Sequence, residues 1–176
     1  MLKETGANLI IMPPNVDETV PANTAPHITV MFLALKKALS VENQATVMGY
    51  SNGEILIAAD TLVIYKNEII GKPENKNETI RILKKLRDEE HKVLTGVAIF
   101  KLGTNLRKLL YETSIVKFKD YTDDEIINYA DTSEPYDKAG AYAVQGTWGK
   151  YIEKIVGDTD NVIGLPLGRL KRELSL

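Results

Sequence analysis

From residue 55 to residue 65 the chain reads Ile-Leu-Ile-Ala-Ala-Asp-Thr-Leu-Val-Ile-Tyr, an apolar stretch broken by one carboxylate and one hydroxyl. Its length and composition predict a strand over 55–65, and Lys66-Asn67 predicts a turn into Glu68-Ile69-Ile70. Upstream, Asn8–Met12 (Asn-Leu-Ile-Ile-Met) reads as a short strand stopped by Pro13-Pro14. Pro26 opens a helix with Thr24 as its cap and an apolar face of Ile28, Phe32, Leu35 and Leu39. A loop is expected from Asn43 to Gly53, with a short strand at Thr46-Val47-Met48. Downstream, Ile80, Leu83 and Leu86 recur at a spacing of three, which predicts an amphipathic helix over 78–87. Lys92–Leu102 and Leu109–Phe118 alternate apolar and polar residues around Gly103-Thr104-Asn105, the pattern of a β-hairpin with one wet face. Thr122-Asp123-Asp124-Glu125 is a capping box for a helix through Ala130. Residues 134–149 have no clear period, 151–156 read as a strand, and Pro166 marks the first turn of a closing helix to Leu174. Strands interleave with helices but include hairpins. The class is therefore α/β with a mixed sheet rather than a βαβ series.

No repeat, low-complexity segment or linker divides the chain, so 176 residues are read as a single domain, 1–176. A net charge of −2 gives no basic footprint for nucleic acid. No apolar run approaches the ~20 residues that span a bilayer, and Glu4 and Gly6 interrupt any signal-like core. Without cysteine there is no disulfide, thiolate nucleophile or Cys-based zinc site, and His27 and His91 are too far apart for a local metal motif. A cytoplasmic protein using oxygen ligands and a hard cation is the expectation.

Asp60 leads the candidate chemistry. An Asp ending a buried apolar run needs a metal, a cation or dense hydrogen bonding. It reads either as a magnesium ligand and general base or as a strand-end turn cap. Lys72, in Gly71-Lys72-Pro73, is either a cation held at a rigid corner or a solvated turn lysine. Glu18 is a second possible metal ligand. Of Lys36 and Lys37, one is expected at the surface and the other directed inward. The stretch 136–146 packs Asp137, Lys138, two glycines, two tyrosines and Gln145 into eleven residues. It suits a nucleotide, with Lys138 on phosphate and Gln145 on a base edge, or else a structural Ω-loop. His91 reads as a structural or surface histidine and Trp148 as a packing residue.

Eight pieces, taken in order, resemble the Maf family of nucleoside triphosphate pyrophosphatases. They are Val16-Asp17-Glu18-Thr19, Lys37-Ala38, Ala59-Asp60-Thr61, Gly71-Lys72-Pro73, residues 91–97 (His-Lys-Val-Leu-Thr-Gly-Val), Glu134-Pro135 leading into 137–142, Gln145-Gly146, and Gly164-Leu165-Pro166. The resemblance implies an elongated sheet with flanking helices, the fold shared with inosine triphosphatases, with a cleft between two lobes and a homodimer. It implies metal-dependent hydrolysis between the α and β phosphates to a monophosphate and pyrophosphate. Asp60 would accept the proton, Glu18 and Asp60 would hold Mg²⁺ or Mn²⁺, and Lys37 and Lys72 would contact phosphate. Thr61 and Gln145 match the dTTP/UTP type. Family members have also been linked to septum formation, so a catalytically impaired nucleotide-binding or cell-division regulatory protein is the alternative.

The family opens with a strand ending in Ser-x-Ser-Pro-Arg-Arg, upstream of a helix that would contain Met1–Gly6. This sequence begins after that motif, so its two arginines have no counterpart here. A late start codon, a truncated chain and a degenerate relative would each account for this. The expectation is weak or absent turnover by the 176-residue chain, because losing a bidentate phosphate contact commonly costs a few kcal/mol of transition-state stabilisation.

Overall fold

The strand expected at 55–65 forms with those bounds. In the structure, a computed structural model describing residue 6 and residues 8–174, β1 is Ile55–Tyr65 and β2 is Glu68–Ile70. Lys66 and Asn67 between them have φ of 46° and 68°. Two successive left-handed residues make the hairpin turn that follows the twist of the strands. The pairing is antiparallel, with Val63 opposite Ile70 and Tyr65 opposite Glu68. The remaining elements are α1 (Pro26–Val47), α2 (Lys76–Leu86), β3 (Glu90–Lys101), β4 (Arg107–Phe118), α3 (Asp123–Ala130), β5 (Ile152–Val156), α4 (Thr159–Ile163) and α5 (Leu167–Leu174). Short 3₁₀ turns at Glu134–Asp137, Ala139–Ala141 and Thr147–Tyr151 fill the aperiodic stretch. The helix expected around Met1–Gly6 lies, apart from Gly6, outside the described residues.

The five strands form one sheet in the order β2-β1-β3-β4-β5. It is antiparallel rather than mixed. The start of β1 meets the end of β3 through Gly53 N–H to the Leu102 carbonyl and Leu102 N–H to the Glu54 carbonyl. β3 and β4 are joined by the tight connection around Gly103, and β4 pairs antiparallel with β5. The short β1–β2 and β3–β4 connections leave no length for a parallel crossover, so those two pairs are hairpins. Among the described residues no helix is long and apolar enough to cross a membrane.

Contacts divide the chain into two compact units. The first comprises Met1–Asp60, Thr95–Glu112 and Gly164–Leu176; the second comprises Thr61–Leu94 and Thr113–Ile163. In the first, Ala98 and Phe100 of β3 join a cluster with Ala34, Ala38 and Ala45 of α1, while Val97 and Ile99 join Leu167 and Leu170 of α5. Alternate β3 side chains thus meet a helix on either face, and Val93–Phe100 is buried throughout. The hairpin lacks the wet face expected of it on this strand because both faces of β3 are covered.

The inward face of α1 also differs from the expected one. Val30, Leu33, Ala34, Ala38 and Ala45 are buried, whereas Ile28, Phe32 and Leu39 are exposed. A Cβ built on Gly96 of β3 would lie 2.3 Å from the Val30 carbonyl carbon. The helix backbone thus rests directly on the strand, an approach that only small residues allow. Thr24 does not cap α1. Its hydroxyl donates to the Pro21 carbonyl at 2.7 Å, and Ala25 occupies the cap position without a side-chain bond. The helix runs on to Val47, absorbing the strand expected at Thr46–Met48, because the growing helix satisfies backbone groups that a lone strand there would leave unpaired. Asn8–Met12 forms no strand among the described residues, and Ile11 is 81% exposed. Strand propensity needs a partner ladder, and Pro13-Pro14 deletes two donors beside it.

The second unit folds around α2, α3 and an aromatic core. Asn75 caps α2 by accepting from Glu78 N–H at 3.0 Å. The predicted capping box on α3 is complete in both directions. Trp148 packs among Tyr121, Tyr129 and Tyr151, with ring centroids 4.5–4.9 Å away, which is the packing role expected of it.

Candidate functional site

The inward helical stripe of α1 continues from Val30 through Leu33 and Ala34 to position 37, which lies seven residues, or two turns, beyond Val30. The residue there is Lys37, while Lys36, one position earlier, faces outward and places its ammonium 5.5 Å over the Phe32 ring. Lys37 Nζ lies 2.5 Å from Asp60 Oδ1 and 2.9 Å from Glu18 Oε1. Asp60 sits in the middle of β1 rather than at a strand end, so the turn-cap reading falls. Its side chain is 10% exposed and that of Lys37 18%, whereas Glu18 is 57% exposed. Burial by itself would pull the Lys37 ammonium down. Hydrogen bonds to Asp60 and then Glu18 outweigh it and hold the group above the ordinary lysine value.

Glu18 is presented by a loop tied to α1 at several points. Ser40 accepts from Asn15 N–H at 3.1 Å and donates back to the Asn15 carbonyl at 3.2 Å, and Gln44 donates to the Pro13 carbonyl at 3.2 Å. Asp17 Oδ1 accepts from the N–H of Thr19 at 2.9 Å and from its hydroxyl at 2.6 Å, closing a turn that has Glu18 at its centre. Those bonds from Thr19 also hold the Asp17 carboxyl below its usual range. Sequence spacing did not reveal the anchoring by Ser40 and Gln44; two polar residues one helical turn apart on α1 are the only trace of it.

The other expected site residues belong to the second unit. Thr61 follows Asp60 on β1 and is half-buried. Lys72 and Gln145 are exposed, and Lys138 pairs with Asp137 at 2.5 Å. Asp137 is held below its ordinary value first by the Lys138 hydrogen bond and, more weakly, by the Lys72 charge. The Lys72 and Lys138 segments are stitched together where Gly140 N–H donates to the Gly71 carbonyl at 3.0 Å. A Cβ on Gly71 would meet nothing within 4 Å, so the close approach expected of that glycine is not made by protein atoms among the described residues.

Gln145-Gly146 is positioned by Glu134, a residue that sequence reasoning left without a role. The Glu134 carboxylate accepts from Thr147 N–H at 3.2 Å, the Thr147 hydroxyl at 2.8 Å and the Tyr129 hydroxyl at 3.2 Å. A Cβ on Gly146 would lie 1.9 Å from Glu134 Oε1, so a larger residue there would push the Glu134 carboxylate off its present place. Burial would raise the Glu134 carboxyl, but the Thr147 bonds outweigh it and keep it low. His91 is structural. Its Nε2 lies 2.7 Å from the Tyr142 hydroxyl, and Tyr142 is two residues from Gly140. Burial pulls the His91 pKa down to about 4.

Among the described residues no three His, Cys, Asp or Glu side chains converge as a ready metal cage. The convergent acidic groups are the two carboxylates around Lys37. Hard oxygen donors of that number, completed by substrate phosphates and water, are what Mg²⁺ and Mn²⁺ accept.

Comparison with known proteins agrees with these motifs. The family model described as Maf-like protein matches residues 1–176. A dTTP/UTP pyrophosphatase of Caldicellulosiruptor saccharolyticus is 41% identical over 177 residues, covering 99% of this chain and 86% of that protein. Proteins of the same name from Dictyoglomus turgidum and Bacillus anthracis are 43% and 38% identical, covering 99% of this chain and 88% and 87% of theirs. With the match running the full length of the chain and through every motif that carries the carboxylates and lysines described above, the chain belongs to the Maf family.

Proposed function

We propose that the chain is a nucleoside triphosphate pyrophosphatase that hydrolyses dTTP and UTP, with modified pyrimidine nucleotides as further candidates, to the monophosphate and pyrophosphate. The observation that carries this reading is the Glu18–Lys37–Asp60 constellation, in which a weakly hydrated carboxylate on a rigid strand faces a lysine and a second acid. The names of the relatives add the substrate class.

In the reaction water is added across the α–β anhydride. Its oxygen ends on one phosphorus, the bridging oxygen leaves on the other, and Asp60 takes the proton. Lys37, Lys72 and Lys138 neutralise the triphosphate, and Thr61 and Gln145 read the base. Glu18 and Asp60 would hold Mg²⁺ or Mn²⁺, which when bound supplies positive charge to the phosphate oxygens. Lys37 stays on α1 within reach of Asp60, and phosphate oxygens are the stronger competitors for its ammonium once substrate is present. We read the chain as one functional domain over residues 1–176, acting as a homodimer in the cytoplasm; sedimentation equilibrium and cell fractionation check the last two.

The test is pyrophosphate release from dTTP, UTP, CTP and GTP with each metal, by the wild type and by Asp60→Asn. Turnover confined to dTTP and UTP is expected, with Asp60→Asn folded and slower by roughly 10²–10⁴-fold. Full activity in Asp60→Asn overturns the assignment, and no turnover of any of the four by the wild type favours the catalytically impaired nucleotide-binding alternative.

A further inference from the structure

The two carboxylates read above as metal ligands already share a cation, the ammonium of Lys37, at 2.5 Å from Asp60 and 2.9 Å from Glu18. An ammonium and a divalent ion compete for such oxygens, since each needs the lone pairs that face the gap. A second cation a few ångströms from Nζ would also be repelled in a site where solvent screens poorly. Two features fit Lys37 for a position that can be vacated. Its four-carbon stem is flexible while its backbone is fixed on α1. One of its partners, Glu18, lies in an exposed loop, whereas Asp60 is held on a strand.

We propose that Lys37 is a resident counter-ion that keeps free divalent cation off the Glu18–Asp60 pair, so that metal is admitted only with a polyphosphate whose oxygens take over the ammonium. The inference rests on the proposed function, in which the same pair holds the metal, and adds an order of binding. Free Mg²⁺ or Mn²⁺ does not charge the site in advance; the metal–nucleotide complex does. Lys37 has two successive partners, first the carboxylates and then the phosphate.

The experiment titrates Mn²⁺, without nucleotide, into the wild type, Lys37→Met, Lys37→Gln and the double variant Lys37→Met/Asp60→Asn. Free Mn²⁺ is read by its electron paramagnetic resonance signal, and folding by circular dichroism. Binding by the wild type should be weak. Either single variant should bind about tenfold tighter or more, the order expected for removing one charge-assisted contact. The gain should vanish in the double variant. Lys37→Gln carries the comparison by itself if Lys37→Met does not fold. Equal affinity of the wild type and the single variants, or a gain that survives Asp60→Asn, overturns the counter-ion role. Failure of the functional reading is seen separately. Turnover of dTTP that Asp60→Asn abolishes would leave the pyrophosphatase assignment intact even if Lys37 proves no competitor.

Discussion

His91 should make this protein acid-sensitive in a range where ordinary carboxylates are still ionised. The ring is 2% exposed and packs against Phe118 and Tyr142 at centroid distances of 5.0 and 5.4 Å. Its Nε2 is bonded to the Tyr142 hydroxyl, while Nδ1 has no hydrogen-bond partner among the described residues. Protonation would therefore bury both a charge and an unpaired N–H among aromatic rings. Burial alone sets the folded pKa at about 4, against 6.5 for a free histidine. Between these values the unfolded chain binds the extra proton and the folded chain does not, so stability rises with pH across that interval. The contribution is complete above about pH 6.5 and is lost as pH falls through 4. At 1.36 kcal/mol per pH unit the whole effect is about 3 kcal/mol, of which about 2 kcal/mol is gone by pH 5. The assay is urea unfolding at pH 7, 6 and 5 of the wild type and of His91→Gln, which keeps a donor for Tyr142 and does not titrate. Carboxylates common to both proteins cancel in the difference. The wild type should lose about 2 kcal/mol more than the variant between pH 7 and pH 5. Parallel stability profiles would refute the reasoning, because they would mean that the ring is hydrated or already charged at pH 7.

Two further substitutions test how the site is held. Gly96→Ala drives a methyl group into the α1 backbone, 2.3 Å from the Val30 carbonyl and 2.6 Å from Met31 N. Denaturant unfolding should show a loss at or above the usual 1–3 kcal/mol of overpacking, roughly, and activity should fall as well because Lys37 rides on the displaced helix. Thr122→Ala removes the bond from Glu125 N–H at 3.2 Å that starts α3. It should cost about 1 kcal/mol, or roughly 2–4 °C in Tm, without changing turnover. An unchanged melting temperature would show that the cap is redundant.

What could be read along the chain was whatever a few neighbouring residues settle among themselves. The Thr122–Glu125 box closes within one turn, Lys66-Asn67 adopts the angles that its own hairpin demands, and β1 is apolar enough to be a strand wherever it lies. The chemistry was visible in the same way, because a carboxylate inside an apolar run demands a partner whatever the fold. Which partner it takes depends on residues 19 and 23 positions apart along the chain, joined at Lys37. Helix α1 carries two apolar stripes. Ile28, Phe32 and Leu39 are the larger residues, yet Val30, Ala34 and Ala38 face inward, because Gly96 lets the strand approach only a smooth helix face. That rotation also decides between Lys36 and Lys37, since successive residues on a helix point about 100° apart. Asn8–Met12 has the residues of a strand and no ladder to join among the described residues, and Thr46–Met48 is taken up by the end of a helix. Glu134 has no role legible along the chain, and acquires one only where Gly146 and Thr147 are brought against it. The sequence by itself determined which residues could carry charge, turn or cap. The tertiary structure decided which face is buried and which charges meet, since burial and ion pairing depend on distances that only the packed chain sets.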